Sequence, residues 1–576
     1  MSQRIVPLIS WIAIASAAIA VLLFHLFDDG LLTAESALLL QLPGIPAWWL
    51  IRYRRAPGAA ADAATQTGRR FAILLSALVV VVGLMVHLRR GAPFGATAHT
   101  LFVLGVLSVD VADRFLRRLS SVAQRPFDLF RTAAVGWLTL ALLGTLLLAL
   151  PAATHPAVPD YGHNFWRHVL TCGFMAASAV SLNGAAIYNV GEDLQRFGQV
   201  VLLGLTLSGF ILFTTLGLIG LRPWLHRAVR LRSVLIVAAV LHLLAALWMR
   251  PAWSAPPPAG DHAFWSGLFH ASAALNHTGF ALRQAGAAAH LDHNRVYWSL
   301  LVLSMVGGFG VIVLVDRARF AIGRVLGGRA VDERPMAART IDLPSFEMHA
   351  AIWILCIAAA LLWVCESRGW MAASLFLDRP LDLGPNQIPL RELTPASRWR
   401  AALMLSAAAR STGLHVVPIS YGAVSWPARE LLIGLMMLGG AVGSAAGGLR
   451  TGTLAALIYA RELRRAGAAA VPRIAGVVLL SMPALCLTSA CLVWWIQPGA
   501  RFSDAALEGV SLAGGVGLTT GLTAHFTWPL RLLMIPVMML GRMSPMIGWC
   551  VIAARLSDHA SASVPDGTPP TRPDPA

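Results

Sequence analysis

Apolar runs of about 20 residues, each the length of a membrane-spanning helix, follow one another along this chain and are separated by short polar stretches. Four times, a shorter segment of small and apolar residues sits between two such runs and stops at a polar triplet and a glycine. These segments are FMAASAVSLNGAA (174–186), FHASAALNHTGFAL (269–282), MLSAAARSTGLHV (404–416) and VSLAGGVGLTT (510–520). The pattern predicts a unit of helix, half-helix with loop, and helix, written four times. Non-helical backbone at membrane depth is tolerated only where protein buries it or where it lines a watery cavity. Four such loops around one axis make a ring of carbonyl oxygens, which is the physical basis of a cation filter.

The expected fold is therefore an all-α polytopic membrane protein of four pseudo-symmetric helix–pore loop–helix repeats around one pore. About four extra transmembrane helices precede them, at 6–27, 32–51, 71–87 and 96–111, the second kinked or broken by Pro43 and Pro46. The first of these is longer than the core of a signal peptide and is read as a retained span. The boundaries are 1–125 for this extension, then 126–230, 231–340, 341–467 and 468–556 for the repeats, with 557–576 a disordered tail. Outer helices are expected at 132–150, 233–248, 348–364 and 474–496, and inner helices at 198–221, 297–315, 431–463 and 530–556. A hydrophilic insertion at 366–400 lengthens the third repeat and is expected to form an external cap.

Composition agrees with this reading: 57% of the 576 residues are hydrophobic and only 13% are charged, about half a soluble domain's share. The formal charge of +17 is carried by arginine, with no lysine, and forms neither a patch nor an aromatic-interleaved stripe, so nucleic-acid binding is set aside. The basic residues gather instead in alternate loops, at Arg222–Arg232, Arg317–Arg329 and Arg450–Arg465, while the glycine-loop side carries Asp160, Glu192, Asp193, Asp261, Asp292, Asp504 and Glu508. That bias places the loops outside and both termini in the cytoplasm, with Arg89 and Arg90 running against it. The six cysteines have no paired spacing and read as small buried hydrophobes.

Candidate chemistry lies in backbone more than in side chains. The filter candidates are Ser181, Leu182, Asn183 and Gly184; Asn276, His277, Thr278 and Gly279; Arg410, Ser411, Thr412 and Gly413; and Gly514, Gly515, Val516 and Gly517. A second feature is the run Gly439, Gly440, Gly443, Ser444, Ala445, Ala446, Gly447 and Gly448, in which each glycine disfavours helix by about 1 kcal/mol relative to alanine. The bland alternative for it is a helix-packing face. A third is Arg542, deep in the last apolar run, where an arginine costs at least about 2.5 kcal/mol and marks a functional candidate. His270 and His277 share a segment but lack a third ligand, so no metal centre is expected. No acid, base or nucleophile cluster suggests an enzyme.

The four segments, in order, resemble the pore loops of the Trk/Ktr/HKT superfamily of potassium transporters. GGAVGSAAGGLRT (439–451) and GRMSPM (541–546) resemble that family's third and fourth inner helices, and the likeness covers roughly 131–555. It implies potassium uptake through a channel-like path in a bacterial inner membrane, with K+ as the transported ion and no organic cofactor. It also implies filter glycines at Gly184, Gly279, Gly413 and Gly517, a gate loop at 439–448, Arg542 pointing into the pore near that loop, and Arg410 as a brace. A homodimer and a separate cytoplasmic nucleotide-binding regulatory subunit are implied as well. Asn183, His277 and Gly515 depart from the family pattern, and so does Ser208 in the first inner helix. The first three favour looser discrimination between potassium and sodium. The rival readings are a symporter coupled to sodium or protons, and a non-conducting scaffold that keeps the fold.

Overall fold

The computed structural model describes residues 126–562, except 156–157, 159–164, 227–228, 254–262, 283–292, 326–341, 368–389, 415–416, 418, 420–422 and 466–467. The four N-terminal spans and most of the 366–400 insertion lie outside the described residues. Within them all regular structure is helical. Six helices are long and apolar enough to cross a membrane, and one bent pair makes a seventh candidate.

The elements run as follows: α1 (Pro126–Leu148), α2 (Phe165–Val180), α3 (Arg196–Leu221), α4 (Leu231–Met249), α5 (Ala263–Leu275), α6 (Asn294–Phe309), α7 (Val311–Val325), α8 (Leu343–Ser367), α9 (Pro395–Ala407), α10 (Trp426–Met437), α11 (Thr451–Ile458), α12 (Ala460–Arg465), α13 (Ala470–Ile496), α14 (Phe502–Gly514) and α15 (Trp528–Ala562). Four times a long apolar helix is followed by a short one, and each short helix packs on the long helix before it: α2 on α1, α5 on α4, α9 on α8 and α14 on α13. The last helix, α15, packs back on α2 and α3 near the start of the described chain. Leu142, Leu146, Leu244, Leu247, Trp353, Leu361, Leu480 and Trp495 are exposed on the long helices. Apolar faces of that extent suit lipid, whereas the last turns of the short helices are almost wholly buried.

Burial of the short helices depends on glycines in the neighbouring long ones. A Cβ on Gly209 of α3 would strike the Val180 carbonyl, one on Gly307 of α6 the Leu275 carbonyl, and one on Gly541 of α15 the Ala513 carbonyl. Each carbonyl lies four residues before a loop glycine, so three inner helices receive the ends of their short helices in the same way. Ser208 turns away and donates to the Gly204 carbonyl of its own helix at 2.8 Å, leaving Gly209 to make the close approach.

Two expectations need correction. The second inner span is not one helix: α6 stops and α7 leaves it at 83°. Gly310, at φ +90, makes the corner, and a Cβ there would meet the Gly443 carbonyl, so only glycine fits. The third inner stretch is α10 and α11 on either side of a non-helical segment, the break that its glycines predict. Finally, α15 continues to Ala562, past the expected start of the tail at 557.

Candidate functional site

The four glycine segments meet. Each short helix ends in a turn whose loop glycine has positive φ: +84 at Gly184, +68 at Gly279, +69 at Gly413 and +82 at Gly517. A Cβ on Gly184 would run into the Thr278 carbonyl, on Gly279 into that of Thr412, on Gly413 into that of Val516, and on Gly517 into that of Asn183. The contacts close on themselves in chain order, so the four loops form a ring. Two residues before each glycine φ is again positive, at Leu182 (+53), His277 (+58), Ser411 (+88) and Gly515 (+65). Three non-glycine residues accept this conformation although it costs of order 1 kcal/mol or more. Four loops with unlike sequences thus share one backbone shape.

The side chains of these loops point outward and brace the ring. Trp137 donates to the Ser181 hydroxyl at 2.9 Å, and Asn183 Nδ2 donates to the Leu512 carbonyl at 2.8 Å, tying the first loop to the end of α14. Leu182 lies against Gly209. His277 Nε2 lies 2.9 Å from the Ser304 carbonyl of α6. Asn276 and Thr278 are buried beside it. Ser411 donates to the Gly515 carbonyl at 2.8 Å. Arg410 spans from the Ala351 carbonyl of α8 to the Gly439 carbonyl, both at 3.1 Å. Asn183 and His277 therefore contact neighbouring elements with their side chains.

Against one side of the ring sits the glycine-rich segment 439–448. Its two ends pair with each other: Gly439 N donates to the Leu449 carbonyl at 2.8 Å and Leu449 N to the Met437 carbonyl at 2.9 Å. Ala441 N donates to Gly308 O at the broken end of α6, at 3.0 Å, and Gly447 N to Ser411 Oγ at 2.6 Å. A Cβ on Gly447 would strike the Gly514 carbonyl, so this segment touches both the third and fourth loops. Of the remaining residues, Ser444 donates to the Ala441 carbonyl at 2.7 Å and accepts from Ala446 N at 3.3 Å, folding the segment on itself.

Buried charge holds this segment in place. Arg542, with no exposed surface, donates to Ser411 Oγ at 2.9 Å, to the Gly515 carbonyl at 3.2 Å and to the Ala445 carbonyl. Its guanidinium also lies 5.6 Å from the centre of the Phe213 ring. Arg450, equally buried, donates to Ala441 O at 3.1 Å and to Ser444 O and Oγ at 3.3 and 3.0 Å. On α8, Glu347 accepts from Val442 N at 2.8 Å and from the Thr451 hydroxyl at 3.2 Å. Burying such charges costs several kcal/mol each unless hydrogen bonds offset it, and here the segment's own backbone supplies those bonds.

Charge counting along the sequence missed part of this. Arg450, one of the basic residues of the alternate loops, is buried against the glycine-rich segment. Glu508 was counted among outward charges, yet it is fully buried and accepts from the hydroxyls of Thr519, Thr520 and Thr523 and from Thr520 N. Asp504 pairs with the buried Arg429 at 2.6 Å. Glu347 carried no sequence signal beyond being a carboxylate at the start of an apolar run. The available clue was proximity to glycine clusters, where exposed backbone polar groups attract charged partners. Among the described residues no group of His, Cys, Asp and Glu could hold a metal ion.

A sequence profile of the TrkH family, described as cation transport proteins, matches residues 226–560. The chain is similar to the Ktr system potassium uptake protein B of Vibrio alginolyticus, with 24% identity over 445 residues, 71% of this chain and 88% of that protein. Its likeness to the protein of the same name from Bacillus subtilis (strain 168) is 23% over 465 residues, covering 75% and 94%. The potassium/sodium uptake protein NtpJ of Enterococcus hirae is 25% identical over 453 residues, covering 72% and 90%. Among solved structures, the potassium transporter TrkH from Vibrio parahaemolyticus superposes with a TM-score of 0.52 over 83% of this chain and 96% of that one. At 17% identity that match establishes a shared fold.

Proposed function

We propose that this chain, which belongs to the TrkH family of cation transport proteins, carries potassium across a bacterial inner membrane through the ring formed by its four glycine loops. The relatives are ion transporters, two of them potassium uptake proteins by name and one a potassium/sodium uptake protein. The observation that carries the reading is the closed sequence of approaches Gly184–Thr278, Gly279–Thr412, Gly413–Val516 and Gly517–Asn183. Backbone carbonyls at fixed positions replace a cation's hydration shell without the full charge that would trap it.

In this reading the four helix–loop–helix units are repeats around one pore, and 439–448 is the gate. The segment lies against the third and fourth loops, and Arg542 sets a positive charge beside them while tying loop, filter and gate together. Opening requires the segment to leave the Ala445, Gly447 and Gly308 contacts. Both termini lie in the cytoplasm, the protein dimerises, and a cytoplasmic nucleotide-binding subunit supplies the energy to move the gate. A second reading, a path that accepts sodium as well or couples to it, is favoured by the relative named for both ions.

Expression in a bacterium lacking its own potassium uptake tests the proposal. Growth at low potassium with the wild type, lost in Gly184→Ser and Gly413→Ser, is the expected result. Rescue by those variants equal to the wild type would overturn the filter assignment.

A further inference from the structure

We infer that His277 couples the second filter loop to the gate segment and thereby sets how sharply the ring discriminates between cations; this rests on the pore reading above. The imidazole occupies an unusual place. Its residue is only 2% exposed and held at φ +58, a left-handed conformation uncommon outside glycine. The ring is seated on the glycine pair of α6. A Cβ on Gly307 would come within 2.7 Å of Cδ2 and 2.8 Å of Nε2, and one on Gly308 within 3.5 Å of Cε1. Two successive glycines thus make the seat for this one ring.

The polar contacts run in both directions. With the Ser304 carbonyl 2.9 Å from Nε2, the hydrogen-bond network assigns the proton to Nε2 and leaves Nδ1 an acceptor. Facing Nδ1 at 3.4 Å is the hydroxyl of Thr412, whose carbonyl lies against Gly279 in the ring. On the far side, Gly308 O accepts from Ala441 N of the gate at 3.0 Å, and Gly310 abuts the Gly443 carbonyl. A continuous path therefore leads from the third filter loop through His277 and the α6 glycines to the gate. It ends where α6 breaks by 83°.

The equivalent positions do otherwise. Leu182 makes an apolar contact with Gly209, Ser411 reaches Gly447 of the gate directly, and Gly515 has no side chain. Among the described residues, repeat two reaches the gate through Gly308 and Gly310 of its inner stretch, and the imidazole joins the second loop to that helix. A small cavity is bordered by His277, Met305, Phe309 and Arg410.

The test uses the full chain reconstituted in liposomes, comparing potassium with sodium uptake. His277→Asn is the informative variant, because asparagine tolerates the left-handed backbone but its amide reaches only as far as Nδ1. It is expected to lower the potassium-to-sodium ratio about tenfold, the worth of one such hydrogen bond. His277→Gln, long enough to reach the Ser304 carbonyl, should recover most of the ratio. Combined with Arg542→Ala, His277→Asn should change flux by less than the product of the two single effects. Hydrogen exchange at the Ala441 amide should quicken in His277→Asn. An unchanged ratio in that variant, multiplicative flux effects, or unaltered exchange at Ala441 would each overturn the coupling alone. Vesicles that take up no potassium even with the segment released by Arg542→Ala would overturn the pore reading and the coupling with it.

Discussion

The Arg542 guanidinium donates to the Ser411 hydroxyl at 2.9 Å, and that hydroxyl in turn accepts from Gly447 N and donates to the Gly515 carbonyl. One oxygen thereby joins two glycine loops, the 439–448 segment and the buried arginine, and its three hydrogen-bonding positions are all filled.

Removing the arginine should loosen the gate. Hydrogen bonds to a charged group contribute about 1.5–3 kcal/mol, so Arg542→Ala should shift the closed–open balance toward open by at least about tenfold. Arg542→Lys should restore little, since one ammonium cannot match a planar fork spread over Ser411, Gly515 and Ala445. Potassium flux into liposomes in the absence of any regulatory subunit measures this, and flux equal to the wild type in Arg542→Ala would remove the gate role.

Glycine positions should divide sharply by what surrounds them. Gly413→Ala places a Cβ on the Val516 carbonyl at φ +69, a strain of about 1–3 kcal/mol added to the clash, and should abolish uptake. Gly204→Ala and Gly434→Ala lie in helices with no atom near the added carbon, so each should leave uptake intact and stabilise by up to about 1 kcal/mol. Growth at low potassium together with melting temperature in detergent separates the two classes.

Glu347 is the carboxylate that holds the 439–448 segment from α8, accepting from Val442 N at 2.8 Å. Glu347→Ala leaves Val442 N and the Thr451 hydroxyl without their acceptor, a loss of about 1–3 kcal/mol. Glu347→Gln keeps an acceptor and should lose less than half of that. Thermal unfolding of the detergent-solubilised chain ranks them, and equal melting temperatures for the two variants would show that charge, not hydrogen bonding, is the whole effect.

The bent helix α7 has its own anchor. Asp316 accepts from the backbone N of His226 at 3.1 Å and from its imidazole Nδ1 at 2.9 Å, both residues being buried. Asp316→Ala should free α7 from the end of α3 and raise hydrogen exchange across 311–325 by roughly tenfold or more, the worth of these bonds. Unchanged exchange there would mean that apolar packing alone holds the helix.

Much of the site was legible in local chemistry. Four glycines after short small-residue segments forecast positive φ at Gly184, Gly279, Gly413 and Gly517, because that backbone region strongly favours glycine. The run 439–448 forecast a break in helix for the same reason, and Arg542 stood out because charge is costly in an apolar span. These signals depend on a residue and its immediate neighbours, which is what a sequence records.

The rest depends on partners far along the chain. No periodicity tells that the Gly184 loop meets Thr278 or that the Gly517 loop returns to Asn183, so the order of the ring belongs to tertiary packing. The 83° corner at Gly310 exists because the Gly443 carbonyl occupies the space a side chain would need. Arg450 and Glu508 looked like solvated loop charges because burial of a charge is decided by which backbone groups converge on it. The sequence determined where the backbone could leave the helix; the tertiary structure decided what it would meet there, since hydrogen-bond partners and steric room are properties of distant segments brought together.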